Sequence, residues 1–294
     1  MDHCHLLPLS VADPTADPGA DNVHDPIALQ PGLADPSTWE LPDFVCDVFA
    51  PRRTRYCLVI PVINEGGKIG AQLDRIRRLD AGIDVIVADG GSTDGSVTPE
   101  VLRAAGVRAL LTKTSPGRLS TQLRMAYSWA LQEGYDGIVT IDGNGKDGVE
   151  AITAFMARLD QGYDYVQGSR YLRGGQAINT PRFRWFSGRF IHAPLVSLAA
   201  RHWFTDTTNG FRAYSRRYLL DERLRPFRDV FVEYNLLFYL SARASRLGYR
   251  VTEIPVSRAY PPSGQVPTKI TGWSGKVRLL AELLRTVAGR YSPR

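Results

Sequence analysis

Lysine and arginine are missing from residues 1–50, a stretch that holds nine acidic residues. The whole chain carries a formal +6, so the 244 residues beyond that stretch carry +15. A basic body favours anionic partners: nucleotides, phosphorylated lipids, an anionic membrane surface or nucleic acid. Nucleic acid drops out through a second lack, because the basic residues are not interleaved with aromatics and no recognition helix can be read. No run approaches the roughly 20 apolar residues a membrane span needs, and no basic start precedes an apolar N-terminal segment. Cysteine is scarce. Cys4, Cys46 and Cys57 are odd in number and scattered, which excludes a disulfide framework and suggests a reducing compartment. Cys4 lies between His3 and His5, but a tail rich in Pro and Asp offers a metal no rigid frame. Internal repeats are absent too.

What is present divides in three. Residues 1–52 contain Asp-Pro pairs at 13–14, 17–18, 25–26 and 35–36, and each proline discourages helix at the residue before it. The composition predicts an extended or disordered segment, with Trp39, Leu41, Phe44 and Val45 able to dock on the body. From Tyr56 to about 270, strand and helix patterns alternate. Tyr56 to Val62, Asp84 to Ala88, Val107 to Leu111, Gly137 to Ile141, Tyr163 to Gly168 and Tyr249 to Val256 read as strands. Helical spacing marks Ile69, Leu73, Ile76 and Leu79, then 117–133, 183–204 with a split at Pro194, and 231–247. Residues 271–294 hold an amphipathic helix over 273–290, with Val277, Leu280, Leu283, Leu284 and Val287 on one face. Such alternation predicts an α/β protein with a mostly parallel, doubly wound sheet flanked by helices.

The stretch Asp84 to Ser96 organises the rest. A buried strand ends in Asp89-Gly90-Gly91-Ser92-Thr93-Asp94-Gly95, and Gly-rich turns at carboxyl ends of parallel strands are where α/β proteins bind ligands. Asp89 is expected to point out of the sheet edge and accept hydrogen bonds from a base or ribose. A second carboxylate-bearing turn follows the strand at 137–141, reading Asp142-Gly143-Asn144-Gly145-Lys146-Asp147. Oxygen side chains two apart, Asp142 and Asn144, suit a hard divalent cation that takes its other ligands from water and a substrate diphosphate. Lys146 adds positive charge beside the phosphates. An Asx-rich surface turn is the plain alternative.

Together these motifs resemble glycosyltransferase family 2, and within it the dolichyl- or polyprenyl-phosphate mannosyl- and glucosyltransferases. Ile60-Pro61-Val62-Ile63-Asn64-Glu65, the Asp89 turn and the Asp142 turn carry the resemblance. It continues through Gly168-Ser169-Arg170-Tyr171 with Gly174-Gly175, Asp206-Thr207-Thr208-Asn209-Gly210-Phe211-Arg212, Glu253-Ile254-Pro255-Val256 and Lys269. Asn144 stands where the family's metal motif has its second Asp, Lys146 where that branch often has Gln, and Gly90 where the nucleotide motif often has a second acid. The resemblance implies a glycosyltransferase A fold, Rossmann-like, with the catalytic domain over 53–270. It implies a nucleotide-sugar donor in a pocket lined by Pro61, Asn64, Glu65, Asp89, Gly91, Asp94, Lys146 and Lys269. Mg²⁺ or Mn²⁺ would sit on Asp142 and Asn144. Arg170 and Arg212 would pair with phosphates, a surface ion pair being the plain alternative for each. Arg184 and Ser187 are weaker candidates for the acceptor phosphate. A lipid-phosphate acceptor needs no general base, whereas a glycan hydroxyl in surface polysaccharide synthesis needs one, for which Asp206 and Glu233 are the candidates. Asp206 as a turn cap and Glu233 as an arginine's partner are the plain readings, and His192 reads as a packed residue. The expected activity is metal-dependent, inverting hexosyl transfer by a cytoplasmic enzyme, with peripheral contact on the cytoplasmic membrane face through the C-terminal helix or with that helix packed on the core.

Overall fold

A computed structural model describes residues 34–262 and 272–293. Lys269, expected in the donor pocket, lies outside them. The elements are β1 (Phe44–Val48), β2 (Tyr56–Val62), α1 (Gly67–Leu79), β3 (Asp84–Asp89), α2 (Pro99–Ala104), β4 (Ala109–Lys113), α3 (Leu119–Gln132) and β5 (Gly137–Thr140). Next come α4 (Ile152–Asp160), β6 (Tyr165–Ser169), β7 (Gln176–Ile178), α5 (Arg182–Ser187), α6 (Ala193–Ala200), β8 (Arg212–Ser215) and α7 (Arg216–Leu219). The chain closes with α8 (Asn235–Arg243), β9 (Val251–Pro255), β10 (Ser257–Ala259) and α9 (Gly272–Val287).

Eight strands form one sheet in the order β1-β4-β3-β2-β5-β8-β6-β9. The core β4-β3-β2-β5 is parallel. β8 runs antiparallel to both β5 and β6, and β9 is parallel to β6. The sheet is therefore mixed but mostly parallel, as the alternation predicts. Every residue of β2 is buried, which is why its sequence is a continuous apolar run and not an alternating one. Helices cover both faces. Ile69, Leu73 and Ile76 of α1 pack with Phe155 and Leu159 of α4 on one side. Leu123 and Ala130 of α3 pack with Val196, Leu236 and Leu283 on the other.

The structure differs from the sequence reading in three places away from the site and in one within it. Part of the acidic N-terminal segment is ordered: β1 pairs antiparallel with β4 from Phe44↔Lys113 to Val48↔Ala109, and Trp39 lies 4.3 Å from Phe227, ring to ring. Residues 34–52 are thus part of the folded body. The long helix over 183–204 is three pieces, because a π turn at Gly188–His192 absorbs the extra residue before Pro194 opens α6. The stripe of α9 is rotated from the expected one. Leu283 is buried with Glu282 and Thr286, while Val277, Leu280 and Leu284 face outward. The turn after β3 is the fourth difference, and it belongs to the site.

Candidate active site

β3, β2 and β5 are neighbours, so the turns at their carboxyl ends share one edge of the sheet. The chain winds from β2 to β4 on one side and returns to β5 on the other, which places a crevice between β2 and β5. The Asn64 and Asp89 turns are stitched into one unit at that edge. The Asn64 amide N–H donates to Ser92 Oγ at 3.0 Å, and Asn64 Oδ1 accepts from the Thr93 N–H at 2.8 Å. The Gly66 N–H donates to Asp94 Oδ2 at 2.8 Å. Asn64 holds φ at 48°, and Gly91 holds 91°, a left-handed backbone that Asn and Gly adopt most readily.

Asp89 does not point outward as expected. Its carboxylate is buried and accepts from Ser92 Oγ at 2.6 Å, from the Ser92 N–H at 3.0 Å and from the Gly91 N–H at 3.2 Å. The turn that follows needs its amides satisfied, and a carboxylate at the strand end is the nearest acceptor. Asp94 is the exposed acid of this loop, held below the usual carboxylate range by Ser96 and by the Gly66 amide. Pro61 lies buried in β2, its carbonyl accepting from the Gly143 N–H at 3.3 Å. Glu65 sits 3.8 Å from Lys68.

The Asp142 turn is braced from below by Gln72 of α1, whose amide donates to the Asp142 carbonyl at 3.0 Å and accepts from the Gly145 N–H at 2.8 Å. Asn144 Nδ2 lies 3.4 Å from Asp142 Oδ2. The Asn209-Gly210 turn crosses directly over this carboxylate: a Cβ on Gly210 would stand 2.4 Å from Asp142 Oδ1. A side chain at Gly210 would push the carboxylate from this position.

A residue that the sequence reading did not single out dominates the charge here. Arg258 of β10 donates to Asp142 Oδ2 at 2.9 Å through Nη2 and to Asp147 Oδ2 at 2.5 Å through Nη1. Its ring neighbour Tyr260 is buried and lies 5.3 Å from Lys146 Nζ, 5.7 Å from the Arg258 guanidinium and 5.8 Å from that of Arg184. Burial alone would raise the Tyr260 phenol, but Arg258, Arg170 and Arg184 hold it below its usual value. Burial, and then the charge of Arg258, pushes the Lys146 ammonium down. Arg184 therefore belongs to the cluster, whereas Ser187 stands at the end of α5.

The remaining candidates have partners within the protein. Arg212 is fully buried and spends its guanidinium on carbonyls: Asn209 at 2.9 Å, Leu237 at 2.7 Å and Thr207 at 2.8 Å. With Ser241 Oγ as a fourth acceptor at 3.1 Å, it clamps the 207–209 turn from inside the core, where 1% exposure keeps it away from a phosphate in the crevice. Arg170 makes a bidentate pair with Asp206 at 2.7 and 3.0 Å, both side chains buried. Burial would raise the Asp206 carboxyl, but Arg170 holds it below the usual range, which makes it a poor proton acceptor. Glu233 is tied to Arg118 at 3.3 Å and Arg278 at 3.1 Å. His192 is a packed residue: its Nδ1 lies 2.7 Å from Thr207 Oγ1, and burial pushes its imidazole down to about 3.

Residues 57–222 match the family model described as glycosyl transferase family 2. The chain belongs to glycosyl transferase family 2. Polyprenol monophosphomannose synthase of Mycolicibacterium smegmatis is 27% identical over 210 residues, 69% of this chain and 77% of that protein. Undecaprenyl-phosphate mannosyltransferase of Micrococcus luteus is 29% identical over 212 residues, 69% and 83% of the two chains. Dolichyl-phosphate hexose transferase of Haloferax volcanii is 29% identical over 199 residues, 68% and 80%. A solved structure of Mycobacterium tuberculosis glucosyl-3-phosphoglycerate synthase with Mn²⁺, uridine diphosphate and phosphoglyceric acid superposes with a TM-score of 0.55. It is 18% identical and covers 81% of this chain and 79% of that one. The fold is the glycosyltransferase A fold, and the protein is a glycosyltransferase.

Within this family 2 domain, the donor set fits a hard divalent cation only in part from the protein. Among the described residues no group of three or more His, Cys, Asp and Glu gathers to hold a metal. Asp142, 27% exposed at its side chain, and Asn144 are the oxygens available. That matches a cation which binds through one or two side chains and completes its shell with water and phosphate oxygens. Arg258 escaped the sequence reading because it lies outside the motifs. Its signal was its place on the strand just after Glu253-Ile254-Pro255-Val256, at the edge of the same crevice.

Proposed function

We propose that this glycosyltransferase moves a hexose from a UDP- or GDP-linked donor to a polyprenyl-phosphate-type lipid acceptor, with inversion. One observation carries the reading. Both acids read from the sequence as general-base candidates, Asp206 and Glu233, are spent on arginines, while Lys146, Arg184 and Arg258 gather at Tyr260 beside Asp142. Such a site suits a nucleophile that is already anionic. A lipid phosphate is anionic at neutral pH, and a glycan hydroxyl is not. The relatives named for polyprenol, undecaprenyl-phosphate and dolichyl-phosphate chemistry support the same acceptor class.

In this reading the stitched turns around Asn64, Glu65, Gly91 and Asp94 cradle the nucleotide, and buried Asp89 fixes their shape. Asp142 and Asn144 would hold Mg²⁺ or Mn²⁺, which when bound offsets the negative charge of the diphosphate. Lys146 and Arg258 flank the phosphates, and Arg184 faces the acceptor phosphate. An acceptor phosphate oxygen attacks the anomeric carbon. The bond from that carbon to the diphosphate oxygen breaks, and the nucleoside diphosphate leaves with the electron pair. No proton moves, and a single displacement inverts the centre. Lys269 is retained as a candidate for the donor pocket. The enzyme is placed at the cytoplasmic face, where nucleotide sugars are made.

The test mixes purified full-length protein with Mg²⁺ or Mn²⁺, radiolabelled UDP- and GDP-hexoses and a short polyprenyl phosphate, followed by organic extraction. Label in the organic phase, abolished by chelator and by Asp142→Ala, is the expected result. Donor hydrolysis without lipid product would overturn the acceptor and return attention to a hydroxyl.

A further inference from the structure

α5, the π turn and α6 leave an unusual row of side chains in solvent. Phe186 is 55% exposed, Phe190 57%, Leu198 71% and Trp203 70%. Phe186 and Phe190 stack on each other with ring centroids 5.1 Å apart, and Trp185 lies 5.7 Å from Phe190. Exposed apolar side chains that cluster mark a binding surface, whereas scattered ones do not. α9 lies against α6 on the same side of the sheet, and its Val277, Leu280 and Leu284 also face outward. Among the described residues no helix is long and apolar enough to cross a membrane.

The charge around this row has one sign. Between Asp164 and Asp206 the chain contains no acidic residue, while it contains Arg170, Arg173, Arg182, Arg184, Arg189 and Arg201. Arg170 is spent on Asp206, but Arg182, Arg189 and Arg201 are exposed. Arg189 lies 5.6 Å from the Trp185 ring and 5.0 Å from that of Tyr171. Aromatic and aliphatic groups beside arginines that extend their charge outward fit the boundary between acyl chains and headgroups.

We propose that the outward faces of α5, the π turn and α6, continued by α9, dock on an anionic lipid bilayer. The row adjoins the active site, since Arg184 of α5 lies 5.8 Å from the Tyr260 ring. A lipid phosphate would then reach the cationic cluster sideways from the membrane. This placement of the acceptor rests on the proposed function, but the docking surface does not. Charge decides for a bilayer over a second copy of the chain. A symmetric dimer through this face would set arginines against arginines, whereas anionic headgroups attract each basic residue near the surface.

The experiment uses the full-length chain and sucrose-loaded vesicles that contain no polyprenyl phosphate. One set is phosphatidylcholine alone, and the other also contains phosphatidylglycerol. The protein is expected to sediment with the second set, less so as salt rises. The triple substitution Phe186→Ser, Phe190→Ser, Leu198→Ser is expected to weaken that binding at least tenfold while leaving the thermal midpoint in place. Wild-type protein that stays in the supernatant at low salt would overturn the proposal, as would a triple variant that sediments like wild type. A concentration-dependent dimer abolished by the same substitutions would overturn it in favour of self-association. Vesicle binding without lipid-linked product in the transfer assay would defeat the acceptor reading alone.

Discussion

Arg258 and Asp142 meet at 2.9 Å although 116 positions separate them. The other arm of the same guanidinium holds Asp147, whose side chain is fully buried, whereas that of Asp142 is 27% exposed. The two carboxylates therefore depend on Arg258 unequally. Removing one partner of a buried pair costs about 3–5 kcal/mol, because the other charge is left uncompensated. Arg258→Met is predicted to lose stability of that order in urea unfolding. Adding Asp147→Asn should restore most of the loss, and adding Asp142→Asn should restore little. Equal rescue by the two would show that this account of the pair is wrong.

Gly210 faces Asp142 with no space for a methyl group, the ideal Cβ falling 2.4 Å from Oδ1. Gly210→Ala should move the carboxylate and lower kcat/KM on the order of 100-fold, the scale of a misplaced reacting group. The urea midpoint should fall only slightly, since Asp142 is partly exposed and can shift at the expense of its contact with Arg258. A variant with wild-type turnover would mean that Asp142 need not stand where it does.

Asp206 and Glu233 are separated by what their loss does. Asp206→Asn strands buried Arg170 and is predicted to cost about 3–5 kcal/mol, part of it recovered by adding Arg170→Met. Glu233→Gln touches partly exposed ion pairs and should cost under about 1 kcal/mol, with turnover unchanged. If Glu233→Gln abolished turnover without unfolding the protein, a base at Glu233 would be back in play.

His192 predicts an acid limb in stability. Burial pushes its folded value down to about 3 from the usual 6.5, so the unfolded chain binds a proton that the folded chain refuses. The contribution is complete above about pH 6.5 and is lost as pH falls toward 3. Urea midpoints measured from pH 7 to pH 5 should drop more steeply for wild type than for His192→Phe. Parallel curves would assign the acid limb to other groups.

The parts of this fold that could be read from sequence are those where local pattern and tertiary fate coincide. β2 and β3 are buried on both faces, so their apolar runs can be little else. The Asn64 and Asp89 turns follow directly from those strands, and the Asp142 turn follows β5, which is buried in the same way. Arg212 shows where the reading stops. Its type and motif suggest phosphate, but three backbone carbonyls capture it, and carbonyl positions carry no sequence signal. β1 was hidden because five residues in a Pro- and Asp-rich segment form a strand only when the β4 edge is there to pair with. In α9 both stripes are apolar enough to be buried, and packing against α6 and α8 decides between them.

The reversal of direction between β5 and β8 has a consequence for how this enzyme can be divided or recombined. Because β8 enters the sheet where β5 leaves it, Asn209 and Gly210 arrive over Asp142 from the far half of the chain, and Arg258 arrives from farther still. The Asp142 turn is thus completed by residues that a cut after β5 would remove. The first half of the chain supplies the Asn64, Asp89 and Asp142 turns, but it is not a module that can be transplanted, and any chimera would have to inherit both halves from one parent.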